Sequence, residues 1–277
     1  MSALPDDIGR SPLGHATGYP DAYDPAQLFT VPRAPQRAAL GLTGALPFSG
    51  SDVWTAYELT WLDSRGKPAI AIATIEVPAE SPSIVESKSM KLYLGSFAQS
   101  SYALPENVAT MIARDLAAAV GARVRISLRD PTDFGAERFA ELEGESLDGL
   151  ALDCSAYEVD PTSLVVGNKR ADEALTTNLF RSVCPITGQP DIASVRIAYR
   201  GPRIERAGLL RYLVSYRRHT GFHEHCIERM FVDIAARCRT ERLTVHARFT
   251  RRGGIDINPF RTDAASPPPQ NVRTARQ

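Results

Sequence analysis

The sequence predicts an α+β protein. Two kinds of segment carry that reading: aromatic and β-branched runs bounded by turn residues, and longer stretches with apolar residues at helical spacing. Their order runs twice along the chain, so a ββαβ-like module in duplicate is expected. At 277 residues the chain is long enough for about two domains with a substantial core.

Residues 1–48 are rich in Pro, Gly, Asp and Ala with weak periodicity, and predict an irregular arm. A first module is expected over 49–150. VWTAYELTWL reads as a strand, Asp63-Ser64-Arg65-Gly66 as a turn and AIAIATIEV as a second strand. KLYLGSF reads as a buried, strand-like or mixed segment. PENVATMIARDLAAAV reads as a helix, with Pro105 at its start and Gly121 just past its end. ARVRISL alternates as a half-buried strand. The acidic stretch ELEGESLDG lies in a connection running from Asp130 to about Asp160.

A second module is expected over 151–262. ADEALTTNLFRSV reads as a helix and VRIAYRG as a strand. LLRYLVSYR takes the place of KLYLGSF, HEHCIERMFVDIAARC reads as a helix, and LTVHARFTR as a closing strand. The separations Phe97 to Ala122 and Tyr216 to Leu243 differ by two residues, as a duplication requires. Residues 263–277 are polar and Pro-rich, and predict a mobile tail.

Bulk properties exclude several classes. Lys plus Arg and Asp plus Glu are 32 each, so net charge supplies no general attraction to nucleic acid or membrane. No run of about 18 apolar residues marks a transmembrane helix. The opening MSALPDDIGR has neither a basic nor an apolar signal region, and Cys154, Cys184, Cys226 and Cys238 form no CxxC pair. A cytoplasmic protein with free thiols is expected.

Four stretches carry chemistry. Cys184 opens CPITGQPD, after the expected helix and before Pro185, and Asp191 follows across a Gly188–Pro190 turn that can return its carboxyl toward the sulfur. A small buried cysteine beside a surface aspartate is the plainer alternative. In FHEHCIERMF, His223 and His225 are two apart and face different ways on a helix, so zinc spacing is not met and no metal is expected. A helix start suits this stretch, with Thr220 and Gly221 before it, His223 as a cap, and Glu224 and Glu228 as early-turn charges. Glu86 in ESKSMKLYLGSF can accept two N–H bonds from a guanine-like edge, while Ser87 and Lys88 can serve phosphate oxygens. TRRGGIDINPF offers Arg251 and Arg252 as a guanidinium pair beside Gly253-Gly254, which suits a ribose phosphate or RNA phosphates. No GxGxxG follows a strand, so any dinucleotide site is not of Rossmann type.

In order and spacing, ESKSMKLYL, C-x-x-T-x-Q-P-D, FHE and RRGG-x-DINP resemble the NADPH-dependent 7-cyano-7-deazaguanine reductases, the nitrile reductases of queuosine biosynthesis, in their two-module form. The resemblance runs from about Val31 through DINPF. It implies the tunnelling fold, in which antiparallel sheets with helices on one face associate into a barrel, usually as a homodimer. It implies that Cys184 attacks the nitrile carbon to form a covalent thioimide and that Asp191 is the proton donor and acceptor. Glu224 and Glu86 would hold the pyrimidine edge, with His223, Val85 and Ser87 as neighbouring contacts and Phe222 closing over the base. Ser87, Lys88, Arg252 and Gly253 would contact NADPH. The competing readings are a purine or pterin hydrolase on the same fold, which needs a metal-binding His/Cys set, and a non-catalytic RNA-binding module using Arg251 and Arg252.

Overall fold

The computed structural model describes residues 18–20, 22–265 and 269–277. The expectations for MSALPDDIGR and for the first part of the arm fall outside the described residues. Strands β2 (Ser49–Leu62) and β3 (Pro68–Pro78) form a hairpin across the expected turn. There Asp63 Oδ1 accepts the backbone N–H groups of Arg65 and Lys67 at 2.8 and 2.9 Å. Ala71, Ala73, Ile75 and Val77 are buried at every second position of β3, the pleat's period. Helices α2 (Ser87–Gly95) and α3 (Pro105–Val120) follow, then β5 (Arg125–Arg129), which pairs with β3. Helix α3 keeps its expected limits: proline at the first position costs no hydrogen bond, and Gly121 adopts φ 72° at the C-cap.

The second half repeats this order. Strands β7 (Val166–Val183) and β8 (Pro190–Ile204) form a hairpin, helices α4 (Arg206–Ser215) and α5 (His223–Cys238) follow, and β9 (Arg242–Phe249) pairs with β8. A further strand, β10 (Ile255–Thr262), lies between β9 and β2 and joins the halves. With β6 (Glu145–Ser146) parallel to β7, the eight-stranded sheet has the order β5-β3-β2-β10-β9-β8-β7-β6 and is otherwise antiparallel. Two apolar clusters cover it. Met90, Tyr93, Ile112 and Leu116 meet Trp54, Ala73 and Ile75 in the first half. Leu209, Tyr212, Ile227, Met230 and Ile234 meet Leu175, Val195, Ile197 and Val245 in the second. This is the antiparallel sheet with helices on one face that the tunnelling fold implies.

Five expectations are corrected. KLYLGSF is helical through Gly95, within α2, because Glu86 caps it, and LLRYLVSYR is likewise helical, largely within α4. ADEALTTNLFRSV is part of β7, not a helix. Leu175, Thr177, Phe180 and Ser182 are buried, alternating on either side of a register shift between Thr177 and Phe180, so pairing with β8 overrides local helix propensity. The described part of the arm is ordered. It holds β1 (Thr30–Pro32), paired with β4 (Ser83–Val85), and the short helix α1 (Ala34–Ala39). The tail is packed over 269–277: buried Gln277 donates to Phe249 O and Asn258 Oδ1, and Arg248 Nε donates to its Oε1 at 2.9 Å. Its amide satisfies polar groups that the sheet would otherwise leave unpaired.

Candidate active site

The β7–β8 turn positions two of the predicted residues. Cys184 N–H donates to Gln189 O at 2.9 Å, Gly188 N–H donates to Cys184 O at 3.1 Å, and Gly188 has φ 69°. The cysteine therefore leaves a strand, not a helix, and Asp191 stands opposite Ser182 in the hairpin. Cys184 is 7% exposed, but it lines a cavity together with Val85, Ser87, Asp191, Phe222, His223, Glu224 and Arg252. Eight of the predicted site residues thus meet, drawn from both halves of the chain. The cavity is about 20 Å³, far below the roughly 300 Å³ or more of ligand pockets, so these side chains must part to admit a base.

The start of α5 supplies the next group. Its N-cap is Phe222, with an extended backbone and no side-chain cap, rather than His223. Phe222 meets His225 edge-on at 5.8 Å. The His223 ring stacks on Phe249 with centroids 3.8 Å apart, and its Nε2 lies 3.2 Å from Asp191 Oδ1. The same Asp191 oxygen accepts from Arg252 Nη2, while Arg252 Nη1 donates to Gln189 Oε1 at 2.5 Å. Glu224 is 2% exposed, and burial, reinforced by the nearby Asp52 carboxylate, pushes its pKa up to about 7.

Glu86 is used differently. It is fully buried and caps α2, accepting Lys88 N–H at 2.7 Å and Ser89 N–H at 2.9 Å on separate oxygens. Lys88, beside it in the first turn, does not line the cavity. Gly253 has φ 56°, and a Cβ there would stand 3.0 Å from Lys91 Nζ. Arg251 departs from the expected pair, because its guanidinium lies over the Tyr57 ring at 4.9 Å. Among the described residues no group of three or more His, Cys, Asp or Glu could hold a metal, and no helix is long and apolar enough to cross a membrane.

Several residues were invisible to sequence reasoning. Lys91 sits within electrostatic reach of Cys184, Glu86 and Arg252, and burial, then Arg252, lowers its pKa. Its place on α2 was hidden once KLYLGSF was read as strand-like. Glu228, expected as an early-turn charge, is instead buried and held by three arginines. Arg37 donates to it at 2.7 and 2.9 Å, Arg261 at 2.8 Å and Arg33 at 3.4 Å. Asp52 completes the cluster, 2.5 Å from Arg33 and 2.8 Å from Arg261. No local pattern marks such a cluster, since its members come from the arm, β2, α5 and β10.

Comparison with known proteins settles the family. Residues 19–128 match the family model described as "Nitrile reductase, 7-cyano-7-deazaguanine-reductase N-term", and residues 190–267 match that of "QueF-like protein". The chain is 56% identical over 270 residues to proteins named NADPH-dependent 7-cyano-7-deazaguanine reductase from Burkholderia multivorans and Burkholderia ambifaria, covering 97% of this chain and 98% of each relative. The Burkholderia cenocepacia protein of that name is 56% identical over 272 residues, covering 97% of this chain and 99% of that relative. This chain belongs to the NADPH-dependent 7-cyano-7-deazaguanine reductases. A crystal structure of the apo archaeosine synthase QueF-Like aligns with 38% of this chain at 20% identity and a TM-score of 0.30, a likeness too loose to carry an argument. The reductase family has tandem matched segments here, the first holding Val85 to Lys88 and the second holding Asp191, His223, Glu224 and Arg252. Cys184 lies just before the second segment, in the turn that brings it beside Asp191.

Proposed function

We propose that this chain reduces the nitrile of 7-cyano-7-deazaguanine, as the free base, to the primary amine 7-aminomethyl-7-deazaguanine with NADPH, in queuosine biosynthesis. The supporting observation is that a thiol, a carboxylate and a buried acid from separate parts of the chain line one cavity: Cys184, Asp191 and Glu224. The sulfur of Cys184 adds to the electrophilic nitrile carbon. A C–S bond forms, one C–N π bond breaks, and its electron pair goes to nitrogen. The thiol proton ends on that nitrogen, relayed by Asp191, and the product is a thioimide. Covalent capture divides a hard reduction into easier steps, and the acid neutralises charge as it develops.

Glu224 and Glu86 hold the pyrimidine edge in this reading. Glu86 already accepts from Lys88 N–H and, at 3.3 Å, Ser87 Oγ on one oxygen and from Ser89 N–H on the other, so it reads the base with the acceptor capacity left and that freed if Ser87 turns away. Val85, Ser87 and His223 flank the base and Phe222 covers it. For the cofactor, Arg252, Lys88 and Lys91 supply cations and Gly253 a backbone without a Cβ, a donor set that fits a phosphate. NADPH, when bound, supplies hydride, and the nitrile-to-amine conversion takes two hydrides and two protons. Arg252 would hold a cofactor phosphate, and in its absence the same guanidinium donates to Asp191.

A homodimer belongs to the same proposal. The outer edge of β5 has no strand partner among the described residues, and that of β7 is paired there only at Leu175, Thr176 and Val183. Such edges favour closure against a second copy. No nucleic-acid contact is proposed, since the net charge is zero and Arg251 is spent on Tyr57. Product analysis tests the activity: two NADPH oxidised per amine formed is expected, and no nitrile-dependent oxidation would overturn the reading.

A further inference from the structure

The two halves agree down to single hydrogen bonds. Tyr93 on α2 donates to Asp115 on α3 at 2.8 Å, and Tyr212 on α4 donates to Asp233 on α5 at 2.8 Å. Ser96 and Ser215 each donate to the carbonyl of that tyrosine at 2.6 Å. Each also accepts, at 3.1 Å, the N–H of an aspartate that opens a 3₁₀ turn, Asp24 and Asp160. The hairpins carry the same register shift, between Ala56 and Leu59 and between Thr177 and Phe180. Helices α3 and α5 are both 16 residues long, and both end on a left-handed C-cap.

This framework assigns a counterpart to each active-site position. The hairpin pairs Leu62 with Pro68 and Val183 with Pro190, so Asp63 stands where Cys184 does and Ala69 where Asp191 does. Pro105 matches His223, and Glu106 matches Glu224 as the second residue of its helix. At this matched place lies a cavity of about 600 Å³, lined by Trp61, Asp63, Ala69, Ile70, Pro105 and Glu106 among others. Its size falls within the range of small-molecule pockets. The nucleophile, the proton donor and the imidazole are gone. The carboxylate at the base-reading position stays, in a lining that sets apolar Ile70 and Leu128 beside charged Lys67 and Asp130.

We propose that this cavity is a second, non-catalytic site for a flat heterocycle with adjacent N–H donors, the guanine-type edge, read by Glu106. The proposal rests on the role given above to Glu224. The second site binds more weakly than the first. Glu106 is exposed where Glu224 is buried, and Ile70 and Leu104 beside it are 49% and 57% exposed. The active cavity is covered by Val85 and Ser87 at the start of α2. Their counterparts Ile204 and Arg206, at the start of α4, do not line the second cavity, so within one chain it lacks that cover.

Equilibrium dialysis of the Cys184→Ala protein with 7-cyano-7-deazaguanine tests this, because that variant binds without capturing the nitrile. Two sites per chain are expected, the weaker lost in Cys184→Ala/Glu106→Ala and the tighter lost in Cys184→Ala/Glu224→Ala. One site, lost only with Glu224, would overturn the second site and leave the catalytic reading standing. Two sites both untouched by Glu106→Ala would overturn the assignment to this cavity. No binding at all would overturn the catalytic reading and this proposal with it.

Discussion

At the scale of single residues, the site divides its labour by environment. One oxygen of Asp191 accepts from Arg252 and lies 3.2 Å from His223 Nε2. Replacing it with Asn preserves shape and removes the exchangeable proton, so turnover is expected to fall about 10²- to 10⁴-fold with base binding largely kept. A parallel fall in binding, measured by titration, would assign Asp191 to recognition instead. Glu224 differs, because burial, then Asp52, raises it to about 7. Only its ionised form accepts both N–H donors of a guanine edge, one on each oxygen. As pH falls below about 7 the affinity for the nitrile base is therefore expected to drop, approaching about tenfold per unit. A Glu224→Gln protein should bind weakly and lose that slope, and an identical slope in the variant would place the titrating group elsewhere.

At the scale of elements, α5 is both wall of the site and anchor of the fold. Its limits were legible in HEHCIERMFVDIAARC because apolar residues recur at helical spacing; Ile227, Met230, Phe231 and Ile234 are all buried. The role of Glu228 was not legible, because its partners are far away in sequence. Burial alone would raise this carboxyl, but Arg261, Arg37 and Arg33 outweigh it and hold the pKa down to about 2. A depressed acid stabilises the fold fully above its ordinary value of 4.5, and that contribution is lost as pH falls toward about 2. Glu228→Gln is expected to cost on the order of 3 kcal/mol at neutral pH, since it leaves buried guanidinium charge uncompensated. Its stability should also vary less than the parent's between those two pH values. Denaturant curves at several pH values check both points, and equal stability of parent and variant would show that the cluster is energetically idle. β7 gives the opposite lesson about legibility: ADEALTTNLFRSV has helix-forming composition, and only the partner strand decides against it.

At the scale of the whole molecule, most of the site and about half of the architecture could be read from the chain. The duplicated order was visible because LYLGSF and RYLVSY occupy equivalent places, and both prove helical where a strand-like reading was expected. The fourth strand of the second half, β10, went unseen as the bridge between halves, because DINPF was read for its ligand chemistry and contains a proline. The packed 269–277 segment was missed for a related reason: its polar composition suits solvent equally well until the polar sheet groups beneath it are known. What the whole fold accomplishes is to bring Cys184 of one half against Ser87 and Val85 of the other. The most direct test of that account is the intact mass of the protein mixed with 7-cyano-7-deazaguanine in the absence of NADPH, compared with Cys184→Ala. A gain equal to the full mass of the nitrile in the parent alone is the predicted result, with NADPH oxidation, assayed separately with the cofactor present, likewise confined to the parent. An unmodified parent, or a Cys184→Ala protein that turns over at the parental rate, would contradict the covalent mechanism.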